Sequence, residues 1–156
     1  TAGRGVKELV QGYKRAQDDY NAILLQSLCD RLAEAAAERL HQHIRQLSGY
    51  DTGGDIEALI KEQYRGIRPA PGYPACPDHG EKTTLFQLLD VENATGISLT
   101  ESYMMSPQAS ICGWYFSHPD AHYFNVGRIG MDQVRDYASR KGVDVQVVTD
   151  LLPHLI

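Results

Sequence analysis

A chain of 156 residues has the length of one ordinary domain, and its 42% hydrophobic and 22% charged make-up excludes an intrinsically disordered polypeptide. Fifteen Lys and Arg against twenty Asp and Glu leave a formal charge of −5, which argues against nucleic acid as the main partner. No apolar run approaches the ~20 residues that cross a bilayer and no secretory pattern opens the chain, so no membrane association is expected and a soluble cytoplasmic protein is the default.

The first Met is missing, so the chain is expected to be a fragment or a processed product. From about Gln17 to Leu47 apolar residues recur at helical spacing through Ile23, Leu24, Leu28, Leu32, Leu40, Ile44 and Leu47, which predicts one long amphipathic helix. Its opposite face carries Arg31, Glu34, Glu38, Arg39 and Gln42; His41 and His43, two positions apart, are expected in solvent. Gly49 and Gly53-Gly54 should stop it. Asp55 then caps a shorter helix through Tyr64, with Ile56, Leu59 and Ile60 inward.

Residues 66–80, GIRPAPGYPACPDHG, hold four of the seven prolines and three glycines, so neither a helix nor a central strand can run through them. A stiff loop over 65–80 follows, of a length that usually signals function. A helix is expected over Glu81–Glu92 on Leu85, Phe86, Leu88 and Leu89. The runs Ile97–Met105, Ile111–Ser117 and Tyr123–Ile129 read as antiparallel strands. Two short helices close the chain, with Asp132 and Asp144 as candidate caps and Val134, Tyr137, Val148, Leu151 and Leu152 inward. The layout is α+β: a long N-terminal helix and short helices packed on a twisted antiparallel sheet.

Several residue groups could carry chemistry. Cys76, Asp78 and His79 invite a zinc or nucleophile reading, but a second ligand pair of the usual spacing is absent, so no metal is expected and Cys29, Cys76 and Cys112 read as reduced thiols. Asp78 and His79 can instead satisfy loop backbone groups. Glu62, Arg68 and Tyr73 bring a carboxylate, a guanidinium and a ring to a pre-stiffened turn, a set that suits a zwitterionic ligand. The alternative is a structural Glu62–Arg68 pair with Tyr73 on the core. SHPDAHYF, from Ser117 to Phe124, offers a His118/Asp120 acid–base pair or simply a polar turn. On a strand, Tyr123 and Phe124 would point to opposite faces.

The segments DDYNAILLQSLCDRLAEAAAERLH, EQYRGIRPAPGYPACPDHGEKTTLFQLL and LTESYMMSPQASICGWYFSHPD, with the Tyr137–Gly142 step, together resemble the activation domain of cobalamin-dependent methionine synthase. The resemblance runs from about Asp18 onward, and RPAPGYPACPDH is its most specific string. It implies a module that binds S-adenosylmethionine and caps the cobalamin-binding domain. Flavodoxin or a related reductase supplies an electron, and the methyl donor restores methylcobalamin. The chain would then be part of a methyltransferase, the 5-methyltetrahydrofolate–homocysteine methyltransferase of methionine biosynthesis, in its reactivation step.

Carried over by position, the resemblance implies that Arg68 binds the methionine carboxylate, with Ala70 and the Gly72-Tyr73 backbone lining the site. Tyr123 and Phe124 match an aromatic pair whose second member is often Tyr. Glu62 and Glu34 match acidic residues near the ammonium, and Asp30 lies where the cap could meet the histidine displaced from cobalt. No catalytic acid or base is implied, because the sulfonium is already an activated leaving group. Since the family domain is about twice this length, residues 1–156 are expected to be either a single domain or its C-terminal half, with weakened binding alone. Two other readings remain: a Cys/His hydrolase using Cys76 with His79 or His118, and a docking or scaffold module that has lost the ligand.

Overall fold

The computed structural model describes residues 1–50 and 55–156. The chain enters through α1, Val6–Arg15, a helix not expected from the sequence even though Val6, Leu9, Val10 and Tyr13 carry its spacing. Its leading segment is pinned far along the chain, where the Ala2 N–H and the Thr1 hydroxyl both donate to the Ala109 carbonyl at 2.9 Å. α1 packs on α2, Asp19–Leu47, the long helix expected. Asp18 starts α2 by accepting the Asn21 N–H at 3.0 Å, which satisfies one of the donors that a helix leaves unpaired in its first turn.

Burial on α2 departs from the apolar stripe. The covered positions are the small Ala22, Cys29 and Ala33, followed by His41, Gln42 and Arg45. Ile23, Leu24, Leu28, Leu32 and Leu40 each remain more than half exposed. His41 is 1% exposed rather than solvated, because its ring stacks on Tyr115 at 4.8 Å and meets the edge of Tyr64 at 5.3 Å. His43 is exposed, as expected. The Gly53-Gly54 stop lies outside the described residues.

Asp55 caps α3, Ile56–Ile60, through the Ala58 N–H at 2.7 Å. That helix ends before Tyr64, and Ile56 and Ile60 are exposed rather than inward. The helix expected over Glu81–Glu92 is two pieces, α4, Glu81–Leu88, and α5, Val91–Thr95, broken by Asp90 in the left-handed region at φ 47°. Of its expected inward residues only Leu85 is buried, while Leu88 and Leu89 face solvent.

The α+β class holds, with a small sheet. Among the described residues the only ladder is β1, Ser98–Leu99, antiparallel to β2, Met105–Ser106. Residues 111–117 form no strand and meet the proline-rich loop through the isolated Ile67–Phe116 bridge, and 123–129 form no ladder. The strands expected over 111–117 and 123–129 are therefore corrected: a β-branched, aromatic run needs a neighbouring strand, and for 111–117 the neighbour is a proline-rich segment that donates few ladder bonds.

Two closing helices, α6, Met131–Lys141, and α7, Val145–Leu151, form a hairpin around Val134, Ala138, Val148 and Leu152, which are nearly inaccessible. Asp144 caps α7 through the Gln146 N–H at 2.7 Å. Asp132 is not the cap of α6; Gly130 occupies that position, its N–H held by the Gln133 side chain at 2.9 Å.

Candidate functional site

The proline-rich loop lies against the extended 112–116 segment. Ile67 and Phe116 exchange backbone bonds at 2.9 and 3.0 Å, and the Trp114 N–H donates to the Pro69 carbonyl at 3.0 Å. A tight turn follows, with the Gly72 N–H donating to the Cys76 carbonyl at 2.7 Å and the Cys76 N–H to Tyr73 at 2.8 Å. Gly72 sits at φ +95° with the His79 ring against its α-carbon, so neither the dihedral nor the space admits a side chain.

Asp78 anchors the far end of the loop. Its carboxylate accepts the Gly80 N–H at 2.6 Å, the Tyr137 hydroxyl at 2.8 Å and the Lys141 ammonium at 2.5 Å; Tyr137 and Lys141 also bond Glu81, each at 2.8 Å. Burial alone would raise the Asp78 pKa, but the bonds from Lys141, Tyr137 and the Gly80 N–H outweigh it and hold the carboxyl below its ordinary value. Burial and the neighbouring Glu81 and Asp78 charges push the Tyr137 hydroxyl well up, so it stays a donor. The loop is thus tied to the closing hairpin by charge-assisted bonds.

Between α1, α2, the loop and residues 104–113 lies a cleft of about 1350 Å³. Arg68, Ala70, Gly72, Tyr73, Tyr123 and Phe124 all line it, together with Glu34 and Asp30 from α2. One helical turn separates Asp30 from Glu34, so both carboxylates share the face of α2 that looks into the cleft. Glu62 does not line it; it is exposed just after α3, at φ 52°. Tyr123 and Phe124 are not split between two faces, because no strand forms there and both rings reach the same cleft. Phe124 also borders a second, apolar cavity of about 650 Å³ with Trp114 and Phe116.

Arg68 pairs with a residue not expected from the sequence. Its Nη1 donates to Glu38 Oε2 at 2.9 Å and lies 3.3 Å from His41 Nδ1, while its backbone N–H donates to the Tyr123 hydroxyl at 2.9 Å. A Glu62–Arg68 pair is thereby replaced by Glu38–Arg68. Burial pulls the guanidinium pKa down, but the Glu38 hydrogen bond and charge more than compensate, so Arg68 stays charged. Tyr64 donates its hydroxyl to the same Glu38 oxygen at 3.2 Å; burial, then the Glu38 charge and bond, push its pKa up to about 12. Arg45 lies over the Tyr64 ring at 3.6 Å.

The nucleophile reading fails on the electrostatics. Burial, followed by the nearby Glu81 and Asp78 charges, pushes the Cys76 thiol up, opposite to an activated thiolate. His79 does not serve Cys76 but meets Lys82 Nζ at 2.7 Å. His118 and Asp120 form an exposed turn, their side chains 3.9 Å apart, with the Asp120 N–H donating to His118 Nδ1 at 3.2 Å. Among the described residues no three His, Cys, Asp or Glu side chains cluster to hold a metal, and no helix is long and apolar enough to cross a membrane.

Residues 1–142 match the family model described as the vitamin B12 dependent methionine synthase activation domain. The chain belongs to that family. The match includes α1 and so begins earlier than the Asp18 expected from the sequence. Among solved structures, the crystal structure of the MetH reactivation domain bound to AdoHcy is 51% identical with a TM-score of 0.93. The alignment covers 97% of this chain and 47% of that one, so the chain spans about half the length of the solved relative. Activation domains of this family are parts of methionine synthase, a methyltransferase.

Proposed function

We propose that this chain binds S-adenosylmethionine in the cleft beside the proline-rich loop and orients its methyl toward reduced cobalamin during reactivation of methionine synthase. The observation that carries the reading is the convergence of Arg68, the Gly72 turn and the Tyr123–Phe124 pair on one cleft, in a family with a solved member bound to AdoHcy. The cleft is roomier than the ~300–1,000 Å³ that small-molecule sites need. A guanidinium suits the methionine carboxylate, Glu34 supplies negative charge for the ammonium, and the rings offer apolar faces for adenosine. Glu62, outside the cleft, is left without that role.

The sulfonium of the ligand provides the activated methyl, so the chain's own residues need only bind and align it. Cobalamin would be held by a neighbouring cobalamin-binding domain, with flavodoxin or a related reductase supplying the electron. Asp30, exposed at the cleft's edge, is the residue proposed to face the cobalamin-binding partner.

The open leucine face of α2 and the half-length match to the solved relative support a further element of the reading: the chain is half of an activation domain, and the other half covers α2. Calorimetric titration with S-adenosylmethionine tests both ideas. Arg68→Ala should cost about 2–3 kcal/mol, and Cys76→Ser should be tolerated. Equal losses would contradict the assignment, and full-strength binding by the lone chain would contradict the half-domain.

A further inference from the structure

A guanidinium offers a carboxylate two forked edges, one between Nε and Nη2 and one between the two terminal nitrogens. In this chain Nη1 is already engaged by Glu38 Oε2 at 2.9 Å and lies beside His41 at 3.3 Å, whereas Nε and Nη2 have no hydrogen-bond partner among the described residues. Glu38 is itself constrained: Oε2 also accepts the Tyr64 hydroxyl at 3.2 Å, and Oε1 is inaccessible to solvent with no partner among the described residues. The second anchor is the Arg68 backbone, whose N–H donates to Tyr123 at 2.9 Å. Head and backbone of the arginine are thus each held by a separate partner.

We infer that Glu38 is a positioning residue: by holding Arg68 through Nη1 it turns the Nε–Nη2 fork into the cleft as a preformed seat for the ligand carboxylate. The inference rests on Arg68 being the carboxylate clamp proposed above. Its basis is that Arg carries four side-chain torsions whose freedom would otherwise be lost on binding, and a fixed ion pair removes that cost beforehand. Glu38 and Arg68 are 16–29% exposed at their side chains, enough shielding for the pair to be held more firmly than a surface ion pair. Glu38 also stands one turn beyond Glu34 on α2, so the same face of the helix supplies one carboxylate to the cleft and the next to the arginine that lines it.

The test compares S-adenosylhomocysteine with 5′-methylthioadenosine, which lacks the carboxylate and ammonium, in titrations of the intact protein. Glu38→Gln should weaken S-adenosylhomocysteine about tenfold and leave methylthioadenosine within about twofold. Tyr64→Phe, which removes only the second bond to Glu38, should give a smaller loss in the same direction. Equal losses for both ligands would mean a merely structural role and overturn the inference. Tighter S-adenosylhomocysteine binding would overturn it too, because Glu38 would then be a competitor for the arginine. Arg68→Ala separates the two claims. If it leaves the preference between the ligands unchanged, the clamp and Glu38's role both fall; if it abolishes the preference while the Glu38 and Tyr64 variants do nothing, only the positioning role falls.

Discussion

The ring of His79 occupies the space that a side chain on Gly72 would need, so the middle of the proline-rich loop is locked against its C-terminal end. Gly72→Ala is therefore expected to destabilise the protein by about 2–3 kcal/mol, combining a strained positive φ with displacement of the ring. Thermal melts would show it. A Gly72→Ala, His79→Ala double variant should recover the part due to the ring and keep the part due to the dihedral.

Asp78 makes stability depend on acid. Its folded pKa lies below the unfolded value, so its contribution is complete above about pH 4 and is lost as pH falls through the depressed folded value. Asp78→Asn is expected to cost about 2–3 kcal/mol at neutral pH, since it removes the nearly buried charge of the pair and leaves Lys141 with Glu81 alone. The gap between the melting curves of the two proteins should narrow below pH 4. A gap that is constant with pH would contradict the ion-pair account.

Tyr123→Phe removes the acceptor for the Arg68 N–H and should reduce ligand affinity by about 0.5–1.5 kcal/mol in calorimetry. Phe124→Tyr, on a ring that is 54% exposed, should change the melting free energy by less than about 0.5 kcal/mol.

Leu24, Leu28 and Leu32 lie four residues apart on the open side of α2. Leu28→Asp with Leu32→Asp is expected to cost the isolated chain only about 1 kcal/mol, mostly helix propensity, because both side chains are already more than half exposed. The same pair should weaken association with a covering half by about 1.5–3 kcal/mol per side chain. Sedimentation and melts together distinguish the two effects.

The elements legible in the sequence are those whose signal is local. The 29 residues of α2 repeat their pattern long enough to be read, Asp55 and Asp144 sit where a cap belongs, and four prolines leave residues 66–80 no regular alternative. Arg68 stands out in the sequence as a candidate for the site, but its partner does not: Glu38 is 30 residues away, on a helix face that looks like ordinary solvated charge. His41 was hidden for the same reason, because its burial depends on Tyr64 and Tyr115 closing over it. The strand reading over 111–129 overreached, since residue preference does not supply a pairing partner. α1 carries a helical period too, but over only 10 residues against the 29 of α2.

Every residue named above as lining the proposed ligand cleft precedes Asn125, whereas the side chains that strap its loop, Tyr137 and Lys141, lie on α6. A premature stop codon just before Met131 would therefore spare the whole binding surface in the translated product and delete its fastening. Such a gene product would keep every residue proposed to touch the ligand and is still expected to bind poorly, a genetic lesion that a survey of those positions alone would score as harmless.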